Sequence, residues 1–293
     1  MGVRMTRSFG SQSMVGTLRK VVVRRPDSAF SGADPDKWHY TSQPNGEKAC
    51  AEHDAFVEIV RSAGAEAIYL DGSYPDLADS IYVHDPSLMT DEGAILLCMG
   101  KPLRRDEVDA HEILYKKLNI PIYNRLHGDA IAEGGDLMWL DEKTLAAGVG
   151  FRTNYQGIMQ LQDALKPLGV KVIPVELPYY HGPEACLHLM SFISMVDHDL
   201  AVVYPPLMPV PFWQELEARG IRMVEVPEEE FVTMGPNVLA LAPGKCLMIG
   251  GNPKTQAELE KAGCTVQTYS GNEISLKAEG GATCLTRPIL REY

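Results

Sequence analysis

A helical stretch that ends at Gly or Asn and leads directly into a strand recurs five times in this 293-residue chain. In each copy the apolar residues of the helix recur at three-and-four spacing, as expected for one buried face. Glycine and asparagine supply the left-handed conformation in which many helices end. The five predicted helix ends lie near Gly64, Asn119, Gly169, Gly220 and Gly263.

Hairpin patterns occupy the stretches between these joints. Four segments carry two apolar runs around a turn of Asp, Glu, Gly or Pro, which predicts a β-hairpin in each. They are IYVHDPSLMTDEGAILLCM, GGDLMWLDEKTLAAG, CLHLMSFISMVDHDLAVVYPP and NVLALAPGKCLMIGG. A fifth hairpin forms if GATCLTRPI near the C-terminus pairs with TLRKVVVRR near the N-terminus, and this pairing would close a ring.

A period of roughly fifty residues with one unit divided between the termini is typical of a propeller. The sequence therefore predicts a five-bladed α/β propeller, with residues 1–293 as one catalytic domain. The alternative is a mixed α/β protein in which the periodicity is accidental.

The net charge of the chain and its cysteines exclude several classes of partner and site. The formal net charge of -12 argues against nucleic acid and against an anionic membrane surface as partners. No apolar run approaches the length of a membrane span, and the N-terminal stretch lacks the apolar core of a signal peptide.

The six cysteines form no C-x-x-C pair and do not cluster with histidines, so no metal site is predicted. Without an export signal, such scattered cysteines predict reduced thiols and a cytoplasmic protein.

Polar side chains recur in the loops that enter the predicted hairpins, and in such a propeller these loops converge on the axis. Taken singly, each residue has a structural explanation, such as a turn acid or a buried core thiol. Their recurrence at the same place in successive units instead predicts one shared pocket. The residues are Asp79, His84, Asp85, Glu133, Asp136, His188, Asn237 and Cys284.

This combination of groups suits a planar cation. Buried carboxylates are costly unless they meet a positive partner, and a guanidinium gives a carboxylate paired hydrogen bonds. Because the guanidinium carbon is a poor electrophile, the nucleophile must be a thiolate, and we expect it to be Cys284. A bound cation would lower the pKa of that thiol. His188 could protonate the departing amine and then take a proton from water.

The chain resembles the guanidino-modifying penteins, and most closely their dimethylarginine dimethylaminohydrolase branch. The resemblance covers nearly the whole chain. It rests on DSIYVHDP, KPLRRDE, EGGDLMWLDEKTLAAGVGFRTNYQG, LHLMS and GGATCLT, which occur in the family's order. It implies a five-bladed propeller of ββαβ units with an axial active site. It also implies a covalent thiouronium intermediate and no metal or organic cofactor.

The resemblance also implies roles for single residues. The family's nucleophile falls on Cys284, its general acid and base on His188, and the acid that pairs with this histidine and the guanidinium on Glu133. The guanidinium-binding aspartate falls on Asp85, and Asp79 matches a second substrate-contacting acid.

Four further positions complete the predicted substrate-binding set. Arg104 and Arg152 match the arginines that hold the substrate's carboxylate, and Asp136 and Asn237 are expected to contact substrate as well. One departure is His84, because the dimethylarginine hydrolases carry an acid just before the guanidinium-binding aspartate.

The segment SGADPDKWHYTSQPNG is extra in the N-terminal half, where the family has part of a lid. Trp38, His39 and Tyr40 in this segment would then touch substrate.

Several activities share these residues. The first is hydrolysis of a methylated arginine to citrulline and a methylamine. The second is a deiminase that releases ammonia from arginine or another guanidino compound, and the third is amidine transfer to an acceptor amine. A non-catalytic binding protein on the same propeller is the alternative from a different class. The sequence leaves open the side chain attached to the guanidine and the oligomeric state, a homodimer being one option.

Overall fold

A computed structural model describes residues 7–292 of the chain. The first six residues, which form part of the stretch used to argue against a signal peptide, lie outside the described range. The strands are β1 Thr17–Val23, β2 Glu66–Tyr69, β3 Ser87–Thr90, β4 Gly93–Leu96, β5 Ile122–Arg125, β6 Leu137–Asp141, β7 Thr144–Val149, β8 Lys171–Glu176, β9 Ile193–Asp197, β10 Leu200–Val203, β11 Arg222–Glu225, β12 Val238–Ala242, β13 Lys245–Ile249, β14 Thr265–Tyr269 and β15 Arg287–Glu292. The α-helices are α1 Ser28–Ser31, α2 Pro35–Trp38, α3 Gly46–Ser62, α4 Glu107–Lys117, α5 Tyr155–Leu165, α6 Val210–Ala218, α7 Glu228–Phe231 and α8 Pro253–Lys261.

The strands form five sheets of three strands each, all with the same plan. The sheets are β15-β1-β2, β3-β4-β5, β6-β7-β8, β11-β10-β9 and β12-β13-β14. In each sheet an antiparallel pair of strands is extended by a third strand, which runs parallel to the middle one and follows a helix. This arrangement confirms the predicted five-unit α/β propeller and its ββαβ repeat.

The predicted pairing of the two ends of the chain is present. Strand β15 runs antiparallel to β1, with Thr17 opposite Glu292 and Val22 opposite Arg287. The strand is shorter than the pattern GATCLTRPI suggested, because residues 282–285 form a turn that Leu285 N closes by donating to Gly281 O at 3.1 Å. Cys284 therefore lies in a turn immediately before the strand, and not on the strand itself.

The five predicted helix ends adopt the left-handed conformation. Their φ angles are 95° at Gly64, 55° at Asn119, 71° at Gly169, 71° at Gly220 and 104° at Gly263. Because this conformation cannot continue a helix, each residue turns the chain towards the strand that follows. The helix-to-strand joints of the sequence are therefore confirmed.

Apolar packing joins neighbouring units. Phe56 on α3 is fully buried, and its ring meets the ring of Tyr269 on β14 edge-on, with centroids 4.9 Å apart. Helix α3 leads into the β15-β1-β2 sheet, whereas Tyr269 belongs to the adjacent sheet. Within residues 7–292, no helix has the length and apolar character needed to cross a membrane.

Replacing Phe56 with Ala should remove this contact between units. We expect the free energy of unfolding to fall by about 3–5 kcal/mol, because a fully buried aromatic side chain is lost and a cavity remains. Chemical denaturation of Phe56→Ala measures the change. Ile113→Ala is the control, since Ile113 is 63% exposed and its loss should cost less than about 0.5 kcal/mol. Equal stability of the two variants would contradict the prediction.

Candidate active site

A cavity of about 330 Å³ lies where the hairpin-entry loops converge. Most of the residues that the sequence analysis singled out line it together. They are Asp79, His84, Asp85, Arg104, Arg152, His188, Asn237 and Cys284. Glu133 and Asp136 lie behind this lining and are fully buried. Residues distant in sequence thus share one pocket, as the repeat predicted.

The thiol of Cys284 is oriented by its turn and by Asn237. The Asn237 Nδ2 donates towards the sulfur at 3.6 Å, while its Oδ1 accepts a hydrogen bond from Thr283 N at 3.0 Å. A side chain at Gly281 would clash with Asn237, which explains one of the two glycines before the cysteine. Burial, together with the negative charge of Asp85, raises the pKa of Cys284 to about 12. The thiol is therefore protonated at neutral pH.

His188 and Glu133 form a buried ion pair beside this thiol. The His188 Nε2 lies 2.7 Å from Glu133 Oε2, and Arg152 Nη1 lies 3.3 Å from the same oxygen. Burial opposes ionisation of Glu133, but the bond to His188 and the charge of Arg152 outweigh it and hold the carboxyl pKa below its usual value. Burial likewise opposes protonation of His188, yet Cys186 and Asp85 outweigh it and raise the imidazole pKa well above its usual value. The pair therefore consists of an imidazolium and a carboxylate.

Asp136 supports the site from behind. One oxygen accepts from the Thr153 hydroxyl at 2.6 Å and the other from Leu189 N at 2.9 Å. The second bond fixes the backbone immediately after His188. Burial raises the pKa of Asp136 to about 6. The expected substrate contact does not fit this position, because Asp136 does not border the cavity and both its oxygens are engaged.

Asp85 meets a guanidinium of the chain itself. Its Oδ2 accepts from Arg104 Nη1 at 2.6 Å, and its Oδ1 accepts from Gly135 N at 2.8 Å. Burial opposes ionisation, but Arg104 and His188 outweigh it and hold the Asp85 pKa below its usual value. Arg104 also donates from Nε and Nη2 to Glu107 and from Nη2 to the Tyr82 carbonyl at 2.9 Å. Four of its five N–H groups therefore bind buried acceptors, although Arg104 also borders the cavity.

His84 presents a neutral nitrogen acceptor. Its Nδ1 lies 2.8 Å from the Thr286 carbonyl, and since a carbonyl only accepts, Nδ1 carries the proton. The Nε2 atom is consequently an acceptor, and it is buried with no hydrogen-bond partner in the described part of the chain. Burial lowers the His84 pKa to about 3, with help from the charge of Arg287. The imidazole therefore stays uncharged where the family has an acid.

The segment 31–46 reaches the mouth of the cavity. Trp38 and His39 line the cavity wall, as expected, whereas Tyr40 does not border it and its hydroxyl donates to Asp79 Oδ1 at 2.7 Å. The other oxygen of Asp79 accepts from Lys101 Nζ at 2.6 Å. The sequence analysis missed Lys101, although it begins the motif KPLRRDE from which Arg104 was selected.

Two other pocket residues were also missed. Cys186 lies two positions before His188, and its sulfur is 3.9 Å from His188 Nδ1. Glu279 precedes the paired glycines and borders the same cavity, and burial raises the pKa of its carboxyl. The available signals in the sequence were a thiol two positions before His188 and an acid five positions before Cys284.

Three ligand-type atoms from Asp85, Glu133 and His188 lie within 4.8 Å of one another. A metal ion could use such a set. However, Asp85 already pairs with Arg104 and Glu133 with Arg152, so an added divalent cation would face two neighbouring guanidinium groups. A flat organic cation that shares these acids by hydrogen bonds fits the surroundings better.

Gly135 allows the His188 ring to lie where it does. A β-carbon at Gly135 would clash with the imidazole Nδ1 and Cγ atoms. We therefore expect Gly135→Ala to displace the imidazole from the surrounding acids and to lower the pKa of His188 towards about 6.5. Histidine NMR titration of the wild type and the variant measures the shift, and thermal unfolding verifies the fold. An unchanged His188 pKa in a folded variant would contradict this role of the glycine.

Comparisons with known proteins agree with this geometry. A family model described as "N,N dimethylarginine dimethylhydrolase, eukaryotic" matches residues 25–291. The N(G),N(G)-dimethylarginine dimethylaminohydrolase of Streptomyces coelicolor is 28% identical over 275 residues, covering 94% of this chain and 98% of that protein. An arginine deiminase of Listeria welshimeri is 25% identical over 265 residues, covering 75% of this chain and 64% of that protein.

The fold also recurs in solved structures. A mutant of DDAH from Pseudomonas aeruginosa, complexed with citrulline, superposes with a TM-score of 0.78 at 22% identity, covering 92% of this chain and 98% of that one. The five-unit propeller of this chain is thus the pentein fold. Because the family model matches nearly the whole chain, from Arg25 to Arg291, the chain belongs to the N,N-dimethylarginine dimethylhydrolase family.

Proposed function

We propose that the chain hydrolyses the guanidino group of an arginine derivative through a covalent thiouronium on Cys284. The observation that carries this proposal is the shared cavity, which holds a buried thiol beside the His188–Glu133 ion pair and the Asp85 carboxylate. The family and its relatives support a hydrolase that acts on guanidino C–N bonds.

The protonation states suggest how the reaction begins. With a pKa of about 12, the Cys284 thiol is a poor nucleophile until a cation arrives. A substrate guanidinium bound at Asp85, which lines the cavity, lies beside the sulfur and stabilises the thiolate, whose proton leaves to solvent. Glu133 acts from behind the lining through its bond to His188. The thiolate then attacks the guanidinium carbon and forms a C–S bond.

His188 serves both later steps. As an imidazolium it donates its proton to the departing nitrogen, so that the C–N bond breaks and a neutral amine leaves. The neutral imidazole then takes a proton from water as the water oxygen attacks the thiouronium carbon. Collapse of this adduct breaks the C–S bond, the hydroxyl proton passes to the departing Cys284 sulfur, and the ureido product is released. Glu133 keeps the imidazole oriented and stabilises its charge throughout.

The preferred substrate in this proposal is a methylated arginine, Nω,Nω-dimethyl- or monomethylarginine, which gives citrulline and a methylamine. The family model and the Streptomyces relative support this choice. Release of ammonia from arginine is the second candidate, since the same residues would serve and an arginine deiminase is also similar. Residues 1–293 would act as one catalytic domain, because the proposed residues extend from Asp79 to Cys284 and the chain ends pair with each other.

Cys284→Ser should abolish turnover while leaving the fold intact. We expect at least a thousandfold loss of kcat, because the hydroxyl is a far weaker nucleophile than a thiolate, and little change in melting temperature. Citrulline, ammonia and dimethylamine are measured from arginine and from dimethylarginine with both proteins. If dimethylarginine releases dimethylamine and arginine gives no product, the preferred substrate is supported. If arginine releases ammonia, the deiminase is supported. A collapse of stability in Cys284→Ser would instead indicate a structural core cysteine.

The reactivity of Cys284 should rise steeply with pH in the absence of substrate. Below a pKa of about 12, the thiolate fraction increases about tenfold per pH unit, and alkylation by iodoacetamide should follow it from pH 7 to 10. Peptide mass spectrometry reports the rate at Cys284 separately from the five other thiols. A rate that is already constant near pH 7 would show a preformed thiolate and would refute activation by the bound cation.

A further inference from the structure

We propose that Arg291, where the two ends of the chain pair, binds a small monovalent anion of halide size through its Nε and Nη2 groups. Arg291 lies in the last strand and does not line the cavity that holds Cys284. The inference is independent of the proposed function, because the site shares no group with the reaction.

The Arg291 side chain is a buried cation without an acidic partner. The residue is 4% exposed, and no acid within residues 7–292 forms an ion pair with it. Burial, together with the charge of Arg287, lowers the pKa of Arg291 to about 9, so the guanidinium still carries its charge at neutral pH. A buried charge that has no counter-ion is strongly destabilising. The interior around Arg291 therefore lacks one negative charge.

The hydrogen bonds of Arg291 indicate where an anion would bind. Its Nη1 donates to the Gly16 carbonyl at 2.6 Å and to the Ala240 carbonyl at 2.8 Å, which uses both N–H groups of that nitrogen. Its Nε is buried without a hydrogen-bond partner in the described part of the chain, and its Nη2 donates to no described residue. Nε and Nη2 lie on one edge of the guanidinium plane, and this edge can give an anion two hydrogen bonds at once.

Backbone contacts hold the guanidinium in place. The segment 10–16 runs beside the last strand, where Gly10 N donates to the Ile289 carbonyl at 2.8 Å and Arg291 N donates to the Gly10 carbonyl at 2.9 Å. Ala240, which accepts from Nη1, belongs to strand β12 of another unit. The free edge of Arg291 is therefore oriented before an anion arrives, which lowers the entropic cost of binding.

A second buried cation on the same strand makes the site more positive. Arg287 is 5% exposed, its Nη2 donates to the His84 carbonyl, and its Nε also has no hydrogen-bond partner among the described residues. At about 3.3 Å per residue, the α-carbons of the two arginines lie about 13 Å apart along the strand. A water molecule at Arg291 would accept a hydrogen bond but would leave both charges uncompensated. An anion would also offset the repulsion between the two cations.

Crystals grown in sodium bromide test the position of the site. Bromide is a halide whose anomalous scattering distinguishes it from water. We expect a bromide peak in hydrogen-bonding contact with both Nε and Nη2 of Arg291. A water molecule at this edge, or bromide found only at other places, would overturn the proposal.

Thermal unfolding tests the same site in solution. Mixtures of sodium bromide and sodium gluconate vary the halide at constant ionic strength. Because a ligand that binds only the native state stabilises it by RT ln(1 + [L]/Kd), the melting temperature should rise by about 2–4 °C per tenfold increase in bromide above the Kd. A melting temperature that does not depend on bromide would contradict the proposal.

Two variants assign the effect to Arg291. Arg291→Gln removes the charge, and the bromide dependence should disappear whatever the basal stability of the variant. Arg19→Gln is the matched control, since Arg19 is an exposed cation on the neighbouring strand β1 and pairs with Glu292, and it should keep the full dependence. A bromide dependence that persists in Arg291→Gln would place the halide elsewhere and refute the site. If Arg291→Gln does not fold, the bromide position and the wild-type melting series decide the question.

Discussion

The antiparallel pairing of β1 with β15 is the interaction on which the rest of the structure depends. It closes the ring, and it also builds the pocket, because the turn before β15 carries Cys284. That turn is bonded directly to the loop of another unit: His84 N donates to the Cys284 carbonyl at 3.2 Å, and His84 Nδ1 bonds the Thr286 carbonyl. Arg287, the first residue of β15, donates to the His84 carbonyl. The thiol and Asp85, the residue after His84, are thus held together by the same contacts that close the propeller.

Charge balance in the pocket connects substrate binding with chemistry. Four acids of the pocket pair with four cations in a small network. The pairs are Asp79 with Lys101, Asp85 and Glu107 with Arg104, and Glu133 with Arg152 and His188. Asp136 lies outside these pairs and accepts hydrogen bonds from Thr153 and from the Leu189 backbone. A guanidinium that enters this network adds one positive charge, and loss of the Cys284 proton offsets it. This is a physical reason for thiolate formation to follow binding instead of preceding it.

The sequence predicted the fold because its signals are local. The left-handed residue after each helix and the polar turn in each hairpin are determined by a few neighbouring residues along the chain, and their recurrence predicted the ring. The same recurrence predicted which loops lie together at the cavity. It could not predict which way a side chain points or which partner it meets across the ring, as for Tyr40 and Asp79, 39 positions apart. For the same reason Asp136 was expected at the substrate, whereas its oxygens bind Thr153 and Leu189 behind the cavity.

The charges of the pocket explain why a histidine, and not an acid, can stand at position 84. A carboxylate at its position would add another buried acid next to Asp85, and a further cation would be needed to compensate for it. The imidazole avoids that cost, because the Thr286 carbonyl fixes its proton on Nδ1 and burial keeps the ring neutral. His84 borders the cavity, and its Nε2 keeps a lone pair with no hydrogen-bond partner among the described residues. Under the proposed function, this lone pair would accept a hydrogen bond from a guanidinium N–H, while Asp85 would supply the neighbouring negative charge.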